Sequence, residues 1–365
     1  MTNDNTLTLS RVNTPPAQTW NYLRTNDITL TVPNNSRKGD VYFALPRLFE
    51  GIECGMGPAV RDWVESQASD AQYVEVHEGE IRSDPIIASM DTGIMVRAGG
   101  EATVVVCNPK PTSEGASNDA SSSTTGALVR IIAKKNARVH LLEYVMHTDA
   151  EHQHLESVGI VAGEDAHIDV HQYLLGTGTT ATGLAVSLDG NRARLELTCR
   201  YLGQAEDVLD INHVVRQRGR NTECEVRESG VLDGHAKKTL RATIDLVHGS
   251  SGSEGAELES VLMLSDDVTN KTMPVILCDE DDVAGNHGAS IGTVGPEQLQ
   301  YLCARGLCQD DAEKLYVRAL FDEAIISAPT PQVRAAILTR ATQVLGAQIA
   351  NDLVEGLELR VSEEV

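Results

Sequence analysis

Four short segments carry one template at a nearly constant interval, and that interval restricts the fold more than any other feature of the chain. NARVHL, DAHIDV, RARLEL and NTECEV each open on a pair of turn residues and continue as alternating apolar and polar residues. Their second residues, Ala137, Ala166, Ala193 and Thr222, are 29, 27 and 29 positions apart. Alternation with period two places successive side chains on opposite faces of a strand. A repeat of this length, built from strands and turns with no helix between them, predicts stacked coils. Further runs of the same kind (YVEVHEGEI, ATVVVC, ALVRIIA, TLRATIDLV, SVLMLS) extend the pattern over residues 71–293. The rival is a jelly roll or sandwich, which needs many tight hairpins; only Asp189-Gly190 and Asp233-Gly234 offer the required turn pair. The expectation is a mainly β protein, a right-handed parallel β-helix.

Composition agrees with a solenoid and narrows the function. Apolar residues make up 41% of the chain but aromatics only 4%, so Val, Ile, Leu and Ala must fill the core. Three Phe, two Trp and eight Tyr are too few for the aromatic platforms of the main enzymatic alternative, a β-helix carbohydrate-active enzyme. With 53 acidic against 30 basic residues, a net charge of -23 and no Lys/Arg cluster, nucleic acid is not an expected partner. No stretch of 18 apolar residues and no signal-like N-terminus occur, so a soluble cytoplasmic protein without a membrane partner is expected. Seven cysteines are scattered without a CxxC spacing, which argues against a zinc site or a disulfide framework. They read as reduced thiols, mostly buried, with Cys303 in the core. Nucleotide-binding glycine motifs are absent and no nucleophile–base arrangement has supporting context, so the chain is read as no enzyme.

The flanks follow other rules. Residues 1–70 read as an irregular, partly helical lead-in, with Trp20 and Leu23 facing inward from a short turn and a helix around 58–67. Residues 111–126 are rich in Ser, Thr, Gly and Asn without an apolar anchor and read as a mobile loop. Residues 294–365 read as a small three-helix domain. Pro296 starts its first helix and Gly306 stops it; Asp310 is the expected N-cap of the second, with Glu313 completing a capping box. Ala312, Leu315, Tyr316, Ala319, Leu320 and Ala324 form one apolar stripe, and Val333, Ile337, Ala341, Val344, Leu345 and Ile349 another. Such a domain is expected to shield the end of the solenoid.

The stretch 259–325 is more specific. It contains Leu262-Met263-Leu264-Ser265, Pro274, Asp281-Asp282-Val283, His287-Gly288-Ala289-Ser290-Ile291-Gly292, Tyr301-Leu302 and Arg305-Gly306. Order and spacing resemble the C-terminal core of the SufB/SufD family, subunits of the SUF iron–sulfur assembly machinery. Leu258 stands where SufB-like members carry a cysteine, and Gly285 where many SufD members carry one. Leu277 replaces an acidic residue that often follows the proline. The resemblance is therefore closer to SufD, divergent within it, and the length suggests a trimmed N-terminal domain.

That resemblance implies a non-catalytic scaffold subunit that pairs with a SufB-like chain, or with a second copy of itself, and docks a SufC-like ATPase. It implies an iron–sulfur cluster held transiently at a partner interface and none held stably by the isolated chain. His287 is the implied cluster-assembly residue. Tyr301, Arg305, Leu315 and Leu320 are the implied ATPase dock. A homodimeric regulator without cluster contact is the alternative. Independently of the family, His152 and His154 form one pair of like-facing strand positions and His167 and His171 another. Stacked coils would have to bring the two pairs together to make a metal site; the adjacent Glu151, Glu156 and Asp169 fit a solvated face instead.

Overall fold

The computed structural model describes residues 6–19, 21–34, 42–108, 124–350 and 352–353. Strands β1 (Thr6–Val12) and β2 (Ile28–Pro33) form an antiparallel hairpin, followed by helix α1 (Pro58–Gln67). Sixteen strands then come in successive pairs: β3 (Gln72–Val76) with β4 (Ile86–Ile87), β5 (Asp91–Val96) with β6 (Glu101–Asn108), β7 (Thr124–Ala133) with β8 (Arg138–Val145), and β9 (Gln153–Ala162) with β10 (His167–Leu174). The next are β11 (Thr179–Leu188) with β12 (Arg194–Gly203), β13 (Val208–Gln217) with β14 (Glu223–Leu232), β15 (Lys237–Leu246) with β16 (Ser253–Met263), and β17 (Thr269–Cys278) with β18 (Val283–Gly292). Odd-numbered members form one eight-stranded sheet and even-numbered members the other, each strand hydrogen-bonded to the equivalent strand of the next coil. All these pairings are parallel, so the chain is a parallel β-solenoid and the jelly roll is ruled out. Residues 124–126, expected at the end of a loop, open β7, because Thr124 and Thr125 pair with Gln153 and His154 of the next coil. The rest of that expected loop, 111–123, lies outside the described residues.

The sequence interval is the register of this solenoid. Arg138, His167, Arg194 and Glu223 are stacked partners, at the same offsets of 29, 27 and 29 as the template residues that precede them. The first residue of each template supplies the corner: Asn136, Asp165, Arg192 and Asn221 have φ of 57°, 55°, 59° and 53°. Asn and Asp tolerate this left-handed conformation better than other non-glycine residues. At the less usual occupant, Arg192, the guanidinium holds Asp165 at 2.7 Å and Glu164 at 2.9 Å on the neighbouring corner. The second template residue re-enters the core, where Ala137, Ala166, Ala193 and Thr222 are fully buried. The main interior cluster, from Val76 to Leu246, is built of Val, Ile, Leu and Ala with one Cys and contains no aromatic ring.

The N-terminal segment covers the outer face of the odd sheet. Leu9, Val12, Leu30, Val32, Val60, Trp63 and Val64 pack against Leu128, Leu155 and Ala181 of the strands. Gly55 meets Gly183 so closely that a Cβ on Gly55 would lie 2.1 Å from the Gly183 carbonyl carbon. Helix α1 spans the residues expected of it, with Pro58 in its first turn. Leu23 is exposed and not inward-facing; its turn at Asn21–Leu23 meets the sheet through the backbone, the Leu23 carbonyl accepting from Lys271 Nζ at 3.4 Å. Trp20 lies outside the described residues.

Helices α2 (Pro296–Ala304), α3 (Gln309–Ser327) and α4 (Pro331–Leu345) follow the solenoid. Val317, Phe321, Ala324, Val333 and Ile337 pack on Leu142, Tyr144, Tyr173, Leu202 and Val231. The described helices therefore lie along the outer face of the even sheet and, among the described residues, leave the last coil uncovered, in place of the expected end cap. Arg340 of α4 is buried and donates from Nε to the Leu175 carbonyl at 2.7 Å. The α3 N-cap is Cys308, whose sulfur accepts from the Asp311 N–H at 3.4 Å, in place of Asp310. The buried stripe is also rotated: Leu315 and Ala319 are exposed, whereas Val317 and Phe321 face the sheet. Phe321 removes far more apolar surface from water than Ala319 would, which favours that rotation. Helix α2 packs on α3 and leaves Cys303 exposed, so this cysteine is not a core residue. Among the described residues no helix is long and apolar enough to cross a membrane.

Candidate functional site

The last coil is open. Among the described residues strands β17 and β18 end their sheets, so each has a strand partner on one side only and presents a free edge on the other. Strand β18 is poor in bulk, carrying Gly285, Gly288, Gly292, Ala284 and Ala289, and most of it is exposed. His287 lies in its middle, exposed, in register with Glu257 of β16. Glu257 is 4% exposed, with its carboxyl group beside that of Glu228. Burial, reinforced by the neighbouring Glu228 and Glu259, pushes its pKa up to about 8, so Glu257 holds its proton at neutral pH. A buried acid and an exposed imidazole thus share one register position at the open end.

Behind that end a column of polar side chains runs through the aliphatic interior. Glu143, Gln172, Cys199, Glu228 and Glu259 are successive stacked partners on the even sheet, and all are buried. Gln172 donates to Glu143 at 2.5 Å. From the opposite sheet His213 reaches Gln172 Oε1 at 2.8 Å through Nε2 and Glu228 at 2.9 Å through Nδ1. Glu259 accepts from Tyr201 at 2.8 Å and from Thr272 at 2.6 Å, and pairs with the buried Lys238. Burial raises the Glu143 and Glu228 pKa values and lowers that of His213 to about 4. Sequence reasoning missed this column, although its intervals of 29, 27, 29 and 31 repeat the coil register. The signal was polar residues recurring at inward positions of the alternation.

The histidine pairs separate. His152 and His154 belong to the odd sheet side, His167 and His171 to the even sheet, and the structure does not unite them. His152 and His154 gather with His147, at ring-centroid distances of 4.6 and 6.3 Å from it. Thr125 Oγ1 lies 2.9 Å from His152 Nε2 and 2.9 Å from His154 Nδ1. Burial lowers the His154 pKa to about 3 and raises that of Glu156, 3.1 Å away, to about 7. Glu156 is thus an interior residue, not part of a solvated face, because it occupies an inward position of β9. His167 faces Glu196 at 3.4 Å. His171 joins His140 and Asp169 on the outer face of the even sheet. That is the one group of three or more His, Cys, Asp or Glu donors close enough to share an ion among the described residues, and His287 is not in it.

On the C-terminal helices Tyr301 and Leu315 are exposed, and the Arg305 guanidinium stacks 4.6 Å from the Tyr301 ring. Leu320 is buried in the α3–sheet packing, so it supports the helix and presents nothing to a partner.

The family model described as "SUF system FeS cluster assembly, SufBD core domain" matches residues 81–320. The iron-sulfur cluster assembly protein SufD of Bacillus subtilis is 27% identical over 176 residues, covering 48% of this chain and 40% of that protein. SufD of Escherichia coli is 22% identical over 221 residues, 60% of this chain and 52% of that protein. A SufBD family protein of Methanocaldococcus jannaschii is 25% identical over 131 residues, 36% of this chain and 40% of the other. The chain spans about half the length, or less, of these relatives. With two thirds of its length matched by the family model and its solenoid in hand, the chain belongs to the SufBD family of the SUF iron–sulfur cluster assembly system, close to SufD.

Proposed function

We propose that this chain is a non-catalytic, SufD-like scaffold subunit for iron–sulfur cluster assembly. It pairs through its open last coil with a SufB-like chain or a second copy of itself, and it docks a SufC-like ATPase on the exposed surface of α2 and α3. The cluster is cargo, completed at the partner interface. The observation that carries this reading is His287 on the uncovered strand β18, with free backbone groups along its edge and no ligand set of its own among the described residues. A free strand edge accepts a second sheet edge, and an exposed imidazole is an available donor for iron once a partner supplies the rest. The exposed Tyr301, Arg305 and Leu315 support the helical dock.

Co-purification of the tagged chain with its SufB-like and SufC-like partners tests the reading. Retention of both is expected, with an Asp or Pro placed mid-β18 releasing the first and Arg305→Glu releasing the second. A folded chain that does not retain the SufC-like ATPase, or that pairs neither with a SufB-like chain nor with itself, overturns it, and a homodimer that binds neither partner supports the regulatory alternative.

A further inference from the structure

We propose that His140, Asp169 and His171 form a solvent-accessible site for a divalent transition-metal ion, separate from His287. The coil register creates it. His140 of β8 and Asp169 of β10 are directly opposed partners on adjacent coils, and His171 is two residues beyond Asp169, on the same outward face. His140 Nδ1 lies 2.5 Å from one Asp169 oxygen, and His171 Nε2 lies 3.3 Å from the other. One ligand atom from each residue falls within 4.8 Å of the other two. Ligands around a tetrahedral zinc ion stand roughly 3.4 Å from one another, so small side-chain rotations close the set on an ion.

Two further features fit a metal. The two rings are 5.5 Å apart and tilted by 49°, converging on the carboxylate and not stacking away from it. The Tyr173 hydroxyl, 3.5 Å from His171 Nδ1, steadies the ring with Nε2 toward Asp169, the kind of outer contact that orients ligating imidazoles. Tyr173 is itself fixed by packing against Tyr144, at 5.3 Å, beneath helices α3 and α4.

The donor chemistry sets the class of ion. Two imidazoles and one carboxylate suit Zn2+, Co2+, Ni2+ or Fe2+ better than Ca2+ or Mg2+, which favour all-oxygen shells. Side-chain exposures of 39%, 32% and 28% leave the outer coordination positions open to water or to a ligand from a partner. The site is four strands from β18 along the even sheet, roughly 19 Å at the usual strand spacing. It therefore does not share ligands with His287.

The test is calorimetric titration of the chelator-treated full-length protein with Zn2+, and visible spectroscopy with Co2+. Wild type is expected to take up an ion with N/O-type cobalt bands and no sulfur charge-transfer band. His140→Gln, Asp169→Asn and His171→Gln, each checked for folding by circular dichroism, should weaken that uptake by roughly tenfold or more. His248→Gln, on an unrelated exposed corner, should leave it unchanged. No uptake by the wild type, uptake indifferent to all three substitutions, or a spectrum dominated by thiolate ligation would overturn the proposal.

Discussion

Arg241 grips Asp210 with both terminal guanidinium nitrogens, at 2.7 and 3.1 Å, beneath the N-terminal segment. Asn13 adds a bond to the same carboxylate at 2.7 Å, and the Thr25 carbonyl accepts from Arg241 Nε. The pair therefore ties the lead-in, residues 13 and 25, to two neighbouring coils. Both side chains are buried, so removing one leaves an uncompensated charge in a dry place. Arg241→Ala should destabilise the protein by about 3–5 kcal/mol, read from urea unfolding. The double change Arg241→Met, Asp210→Leu should recover part of the loss. A single mutant as stable as wild type would show that the pair does not anchor the segment.

The buried column makes stability depend on pH. Glu228 is raised by burial from an ordinary 4.5 to about 8 in the folded protein. The folded state therefore binds this proton more tightly than the unfolded chain, a stabilisation complete below about 4.5 and lost as pH rises through about 8. His213 has the opposite sense. Lowered to about 4 from 6.5, it contributes stability present above 6.5 and lost as pH falls toward 4. Wild type should melt lower at about pH 9 than at about pH 6, and Glu228→Gln should shrink that difference. An unchanged difference would remove Glu228 as its source.

Thiol reactivity should divide the cysteines by burial. Cys54, Cys107, Cys199 and Cys224 are buried, and burial raises the pKa of each, to about 12 for Cys107 and Cys224. Cys278, Cys303 and Cys308 are exposed. A disulfide reagent should titrate these three rapidly in the native protein and the other four only after denaturation. Rapid modification of Cys199 would mean that the polar column is open to solvent.

The proposed helical dock is testable with two kinds of substitution. Arg305→Glu and Leu315→Asp alter exposed positions and should weaken binding of the SufC-like ATPase while leaving the melting temperature within about a degree or two. Leu320→Asp places a charge in the packed α3 face and should lower stability whatever the dock is. Calorimetry with the purified ATPase, alongside circular dichroism, reads both. Wild-type affinity in folded Arg305→Glu and Leu315→Asp proteins would move the dock elsewhere.

Much of the architecture was legible because a solenoid writes its geometry into the sequence. The spacing of Ala137, Ala166, Ala193 and Thr222 is the strand register itself, and the left-handed corner explains the Asn or Asp before three of them. The placement of the C-terminal helices was not legible. Periodicity says that a helix has an apolar face but not which surface receives it, and Tyr144 and Tyr173 on the even sheet supplied that surface. The histidines show the same limit. Like-facing positions along one strand were readable, but whether His171 met His154 or His140 depended on which strands share a sheet. The polar column was readable in principle, since Glu143, Gln172, Glu228 and Glu259 keep the coil interval, but a polar residue in a strand is ordinarily assigned to the solvated face.

The most direct test of the proposed role of His287 at the open coil is iron–sulfur cluster yield on a complex of this chain with the proposed SufB-like and SufC-like partners. His287→Ala removes an exposed side chain and should leave the complex assembled and its melting temperature unchanged, while lowering the yield by roughly tenfold. Unchanged yield in an intact complex, or a complex that no longer folds or assembles, would contradict a role for His287 in building the cluster.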